Sequence, residues 1–197
     1  MAFAALFPGQ GSQTVGMLAD FEDNCPEIRA TFTEASDALG YDLWTLCQDG
    51  PAEQLSLTEI TQPLLLTAGV ALFRAWTAAG GARASFMAGH SLGEYTALTA
   101  AGSLPLADAV RLVRSRGQFM QEAVPKGVGA MAAVIGLDDT TIESVCAEVA
   151  SETGLVIEAV NYNAPGQLVI AGHAEAIDAS LPRLKAAGAK RALPLTV

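Results

Sequence analysis

Residues 84–102 read ASFMAGHSLGEYTALTAAG. The spacing predicts a short buried strand over Ser85 to Ala88, a sharp turn through Gly89-His90-Ser91-Leu92-Gly93, and a helix rich in Ala, Leu and Thr. Gly-x-Ser-x-Gly between a strand and a helix has the form of a nucleophile elbow. A serine on so tight a turn is held in a strained backbone conformation, and side chains at Gly89 or Gly93 would collide with the neighbouring strand and helix. The turn lifts the hydroxyl clear of both elements. It also aims the backbone N–H groups of the helix start at the place where an oxyanion would form. The competing reading is a glycine-rich turn that only lets a helix pack close to a sheet.

Composition bounds what surrounds this stretch. A chain of 197 residues, 51% of them hydrophobic, makes one domain, or one domain with a small insert, and argues against disorder. Cys25, Cys47 and Cys146 lack metal-ligand or CxxC spacing. They read as free thiols of a reducing cytoplasm. Ala2 to Leu6 is too short, and has no basic flank, for a signal peptide. The longest apolar run, Pro63 to Phe73, falls far short of a membrane span. A net charge of −10 argues against nucleic acid as a partner.

In chain order, Ala2 to Leu6 reads as a buried parallel strand. The loop Phe7-Pro8-Gly9-Gln10-Gly11-Ser12-Gln13 follows it, past a strand's carboxyl end, where open α/β sheets place ligands. It lacks the third glycine and downstream acid of a dinucleotide fingerprint. Gln10, between the glycines, and Gln13 are its candidate functional side chains, against the plainer reading of exposed loop glutamines. Helical pieces fill Gly16 to about Gln54. A long helix runs to about Ala79, with Thr61 as N-cap and Pro63 in its first turn. Its all-round apolar surface implies burial on several sides. The next helix, about Leu106 to Ala123, carries Arg111, Arg114 and Arg116. Arg116 lies about 140° round the helix from Arg111, so the three cannot share one solvated face. One of them should turn toward a carboxylate or a pocket, unless all three snorkel to water.

After Pro125-Lys126-Gly127 the pattern becomes strand (Gly129 to Ile135), helix (Thr140 to about Glu152, capped by Asp138-Asp139), strand (Leu155 to Val160), turn (Asn163 to Gly166), strand (Gln167 to Ala171), helix (His173 to Ala187) and strand (Arg191 to Val197). This β-α-β-β-α-β order is the ferredoxin-like unit, a complete module. The preceding part shows only two parallel strands, which leaves sheet edges unpaired. The expectation is that its remaining strands lie beyond Val197 and that the module is an insertion. The fold class is then α/β: a hydrolase-like parallel-sheet core with a nucleophile elbow (residues 1–125, the N-terminal part of a large domain) plus an inserted ferredoxin-like small domain (126–197).

With these motifs in place, the chain resembles the malonyl-CoA:acyl carrier protein transacylases of bacterial type II fatty-acid synthesis. The resemblance rests on FPGQGSQ (Phe7 to Gln13), Gln62-Pro63, GHSLGE (Gly89 to Glu94), the stretches around Arg116 to Pro125 and Gly129 to Gly136, and the Asn161 to Gly172 segment. It implies that Ser91 carries the acyl group as an ester, that the backbone N–H groups of Gln10 and Leu92 form the oxyanion hole, and that Arg116 grips the free carboxylate of malonate. His90, Gln62 and Asn161 would line the pocket. Leu92 resembles the malonyl-selective members. No cofactor or metal is implied beyond a CoA thioester as substrate. The partner would be acyl carrier protein, docking on the basic stretch Arg183, Lys185, Lys190 and Arg191, which could equally be an ordinary solvated helix face.

The family's general-base histidine would fall just past Val197. Only His90 and His173 occur here. His90 should point away from Ser91, and His173 reads as a helix-start residue, so this chain by itself is expected to acylate poorly. Two other functions stay open: a serine esterase or thioesterase using the same elbow, and a truncated module that only docks a carrier protein.

Overall fold

A computed structural model describes residues 2–22, 24–125 and 127–195. Lys126, at the expected domain boundary, and Thr196 and Val197, at the end of the expected last strand, lie outside the described residues. The chain divides into two compact units, Met1–Ala123 and Val124–Val197.

In the first unit β1 (Ala4–Phe7) pairs in parallel with β2 (Phe86–Gly89), Ala4 opposite Phe86 and Phe7 opposite Gly89. Around them stand α1 (Pro26–Leu39), α2 (Leu43–Asp49), α3 (Ala52–Leu55), α4 (Thr58–Ala78), α5 (Leu92–Ala100) and α6 (Leu106–Glu122). The core joins Ile28, Phe32, Leu43, Leu64, Leu66, Val110 and Val113. The Phe32 and Trp44 rings meet edge to face at 4.9 Å, the arrangement their quadrupoles favour. Both strands end one residue later than the apolar runs imply, and β1 starts two residues later. They are poorly covered: Leu6 is 76% and Phe86 72% exposed. An apolar trough of about 610 Å³ lies beside them, lined by Phe3, Leu6, Phe7, Leu65, Phe73 and Trp76.

One helix start is corrected. α4 begins at Thr58, so Thr61 is not its N-cap and Pro63 is its sixth residue. The buried Thr61 hydroxyl instead turns back to the carbonyls of Leu55 and Leu57, which ties the α3–α4 link to the helix. Pro63 withholds an amide from the Glu59 carbonyl, a loss confined to the first turns. The helix is buried on several sides, as its composition implies.

The second unit runs β3 (Gly129–Ile135), α7 (Asp139–Thr153), β4 (Ile157–Ala164), β5 (Gln167–His173), α8 (Ala174–Ala186) and β6 (Arg191–Leu195). Its strands lie in the order β4-β5-β3-β6, each pair antiparallel. Ala132, Val134, Leu168, Ile170, Ile142, Val149, Ile177 and Leu184 form a core of their own. The turn expected over Asn163 to Gly166 shrinks to Pro165-Gly166, because β4 continues to Ala164, opposite Gln167. Gly166 takes the positive φ of +71° that a two-residue hairpin loop requires.

Asp138 caps α7, accepting from the Thr141 amide at 2.9 Å and from the Thr140 and Thr141 hydroxyls at 2.6 and 2.7 Å. These donors favour the charged carboxylate and lower its pKa from 3.8 to about 2. A depressed acid stabilises above its unfolded pKa and loses that contribution as pH falls through the folded value. Stability of this unit should therefore fall between pH 3.8 and about 2. Asp138→Ala should lower stability at neutral pH and flatten that acid limb, which urea midpoints measured across the window will read.

Candidate active site

The elbow is built by the close approach of backbones. A Cβ on Gly93 would sit 2.0 Å from the Phe7 carbonyl oxygen and 2.7 Å from that of Pro8. A Cβ on Gly89 would sit 1.9 Å from the Gly93 carbonyl carbon. Only hydrogen fits at either position. Between them Ser91 adopts φ 54°, ψ −110°. Among described non-glycine residues it shares a positive φ only with Leu18. The turn is closed by the His90 amide to the Phe7 carbonyl at 3.2 Å and the Gly93 amide to the His90 carbonyl at 2.9 Å. Ser91 is exposed and sits at the N-cap of α5. Leu92, buried, is the first residue of that helix, where the i to i−4 ladder supplies no partner for its amide.

Arg116 is the arginine of α6 that turns inward. Its Nη2 donates to Ser91 Oγ at 3.0 Å, and its Cζ lies 5.8 Å from the centre of the Tyr95 ring. Arg111 faces outward to Asp108 at 3.7 Å and to the Ala38 carbonyl at 3.0 Å. Arg114 stacks over Tyr41 at 5.6 Å, and burial raises the Tyr41 hydroxyl's pKa. The three arginines thus take three directions, as their spacing requires. Arg116 reaches Ser91 because α6 approaches α4 closely: a Cβ on Gly117 would lie 2.7 Å from the Glu59 Cα.

Gln10 and Gln62 meet beside this pair, Gln62 Nε2 donating to Gln10 Oε1 at 3.2 Å. Gln62 is fully buried, whereas Gln10 is exposed. Gln13 stays within its loop, its Oε1 accepting from the Gly11 amide at 3.0 Å. The His90 ring lies against Gly9, whose Cβ would be 3.4 Å from His90 Nδ1. Asn161 belongs to the second unit, on β4 opposite Val169. His173 stands at the N-cap position of α8 there, its ring making no capping bond and its Nδ1 accepting instead from the Val156 amide at 3.1 Å. Of the basic stretch, Arg183 is held by both oxygens of Glu152, at 2.9 and 2.5 Å. Its charge is matched internally, and Lys185, Lys190 and Arg191 make no ion pair among the described residues.

Two residues of the site escaped the sequence reading. Tyr95 lies four residues after Ser91, and Met120 four after Arg116, with its sulfur accepting from Arg116 Nη1 at 3.3 Å. The i, i+4 rule for helix faces carries enough information to find both. Burial pushes the thiols of Cys47 and Cys146 up to about 11, which suits packing and not nucleophilic chemistry. No group of His, Cys, Asp and Glu that could hold a metal occurs among the described residues. Among the described residues, no helix is long and apolar enough to cross a membrane.

An α/β unit that lifts a serine from a strand–helix turn and sets a guanidinium against it belongs to a restricted class of proteins. The family model for the acyl transferase domain matches residues 5–196, and the chain belongs to that family. It is 63% identical over 195 residues to the malonyl CoA-acyl carrier protein transacylase of Escherichia coli K12, an alignment covering 99% of this chain and 62% of that protein. The chain thus spans about three-fifths of the length of the curated relatives it matches. Among solved structures, a malonyl CoA-acyl carrier protein transacylase from Coxiella burnetii superposes with a TM-score of 0.95 at 53% identity, covering 100% of this chain and 62% of that one. A malonyl-transacylase in complex with its type II PKS acyl-carrier protein superposes at 0.94 with 56% identity, covering 100% and 63%.

Gly93→Ala should destabilise the first unit by about 3 kcal/mol or more, since the neighbour it meets is backbone and cannot swing aside. Urea unfolding of the variant against the parent chain checks this.

Proposed function

We propose that this chain carries the nucleophile and the carboxylate grip of a malonyl-CoA:acyl carrier protein transacylase. The observation that carries the reading is the 3.0 Å contact between Arg116 Nη2 and Ser91 Oγ. A lipase-like site would surround its serine with apolar wall. Here a fixed positive charge stands within reach of any acyl group on Ser91, and its planar fork suits a carboxylate.

In the first half-reaction Ser91 Oγ attacks the thioester carbon of malonyl-CoA. The C–S bond breaks, CoA leaves as its thiol, and malonate remains as a seryl ester. The amides of Leu92 and Gln10 receive the oxyanion, helped by the positive end of α5. Arg116 has only donors and cannot take the serine proton. That role falls to the family's histidine. In the second half-reaction the phosphopantetheine thiol of acyl carrier protein attacks the ester carbonyl, the ester C–O bond breaks and Ser91 is restored. The chemistry asks for no cofactor, since the thioester supplies the activated acyl group. His90 serves as a pocket wall.

The same reading gives the units their parts. Met1–Ala123 is the N-terminal part of a large, hydrolase-like α/β domain, a role consistent with its thinly covered two-stranded sheet. Val124–Val197 is a ferredoxin-like small domain inserted in it. Lys185, Lys190 and Arg191 offer positive charge to an acidic carrier protein and to the CoA phosphates. The setting is the bacterial cytoplasm.

In the complete enzyme, malonyl-CoA should add one malonyl group to Ser91, and Ser91→Ala should abolish the adduct in intact-mass measurements. Arg116→Ala should cost malonyl transfer about 2–5 kcal/mol, the penalty for removing one partner of a buried charge pair, and shift preference toward acetyl-CoA. Release of free malonate in excess of transfer would favour a thioesterase instead. Carrier-protein binding with no adduct would leave only a docking role.

A further inference from the structure

Five side chains of the first unit are joined in one line. Gln10 Oε1 accepts from Gln62 Nε2 at 3.2 Å, and the same Nε2 donates to Met120 Sδ at 3.1 Å. That sulfur also accepts from Arg116 Nη1 at 3.3 Å, while Arg116 Nη2 reaches Ser91 Oγ at 3.0 Å. Gln62 is fully buried, and its Oε1 has no hydrogen-bond partner. The thioether is thus the acceptor on which two N–H donors converge, one of them a cation.

The chemistry of sulfur orders this line. A thioether has no hydrogen to give, so Gln62 must turn its NH₂ end toward Met120. The carbonyl end then faces protein without a donor, a costly state for a buried polar atom. A side chain kept there for its own packing would be better as an apolar residue of similar shape. Gln62 instead carries an unsatisfied atom while holding two neighbours in place. Met120 and Arg116, four residues apart on α6, present one face. The long, polarisable methionine side chain conforms to the guanidinium edge, where a leucine would offer contact but no acceptor.

We propose that Met120 and Gln62 are positioning residues: the Met120 sulfur, itself held by Gln62, fixes the Arg116 guanidinium in the orientation from which it meets Ser91. Resting on the reading of Arg116 as the carboxylate grip, this makes the pair a determinant of acyl selectivity. Neither side chain needs to touch the acyl group. A guanidinium tethered at one Nη pays less ordering entropy when the carboxylate arrives.

Rotation of the Arg116 guanidinium, followed by ¹⁵N NMR of the arginine side chains in this chain, tests the tether without requiring turnover. It should be at least about tenfold faster in Met120→Leu, which conserves volume, and in Gln62→Leu, while Arg111 stays unchanged. Gln62→Leu should at the same time raise the melting temperature of the unit by about 2–4 °C, because its buried orphan oxygen is gone and the partners left behind, Gln10 and Met120, are exposed to water. In the complete enzyme both variants should lose about tenfold of the malonyl-over-acetyl preference, chiefly through KM. Unchanged Arg116 rotation in a folded Met120→Leu chain overturns the proposal, whatever the activity. A lower melting temperature for Gln62→Leu with rotation unchanged overturns it too, by making Gln62 a packing residue. Faster rotation in a protein that transfers no malonyl group would leave the tether standing and remove the functional reading of Arg116.

Discussion

The site depends on one steric constraint: the first turn of α5 lies directly on the end of β1, with no side chain between them. Gly93 touches the Phe7 and Pro8 carbonyls, and Gly89 touches Gly93. This contact forces the chain to reverse within Gly89 to Gly93. A reversal that short cannot be made with every residue in an ordinary conformation, and the strain falls on Ser91, at φ 54°. The hydroxyl is exposed for the same reason that the backbone is strained. The contact also ties the start of the loop after β1, at Phe7 and Pro8, to the first turn of α5. Any side chain at either glycine would alter the serine turn and the loop after β1 together.

A second constraint is electrostatic. The positive end of α5 and the Arg116 guanidinium both stand near Ser91. Both favour negative charge beside that hydroxyl. Arg116 keeps this position through packing far from the chemistry. Gly117 seats α6 against the first turn of α4, and Arg111 and Arg114 are occupied elsewhere, by Asp108 and by Tyr41. The tertiary fold therefore decides which arginine serves the site.

How much of this the sequence carries depends on whether the rule is local. The elbow, the loop after β1 and the β-α-β-β-α-β order are written in glycine spacing and apolar period, and are legible without coordinates. The start of α4 is not. Thr61-Gln62-Pro63 has the local form of a helix beginning, yet Thr61 is buried and its hydroxyl is taken by carbonyls before it, so packing overrides the capping preference. The hairpin between β4 and β5 is tighter than its four turn-forming residues suggest, because pairing with β5 extends β4. Within the site, Ser91 and the divergence of the three arginines follow from spacing. The link from Gln10 to Met120 does not, since it joins residues far apart in the chain through one buried amide.

That buried amide also bears on why the site is polar where an apolar core would be more stable. Cores tolerate hydrophobic replacements of similar volume, and the position of Gln62 on α4 is enclosed by protein. Its amide is there at the expense of one unsatisfied oxygen. An arginine beside a nucleophile has many rotamers, most of which would point its charge into water. Holding one of them needs an acceptor at the guanidinium edge that does not compete as a counter-ion. A carboxylate there would form an ion pair and repel an incoming carboxylate. A neutral sulfur steers the guanidinium without cancelling its charge, and a buried amide keeps the sulfur in place.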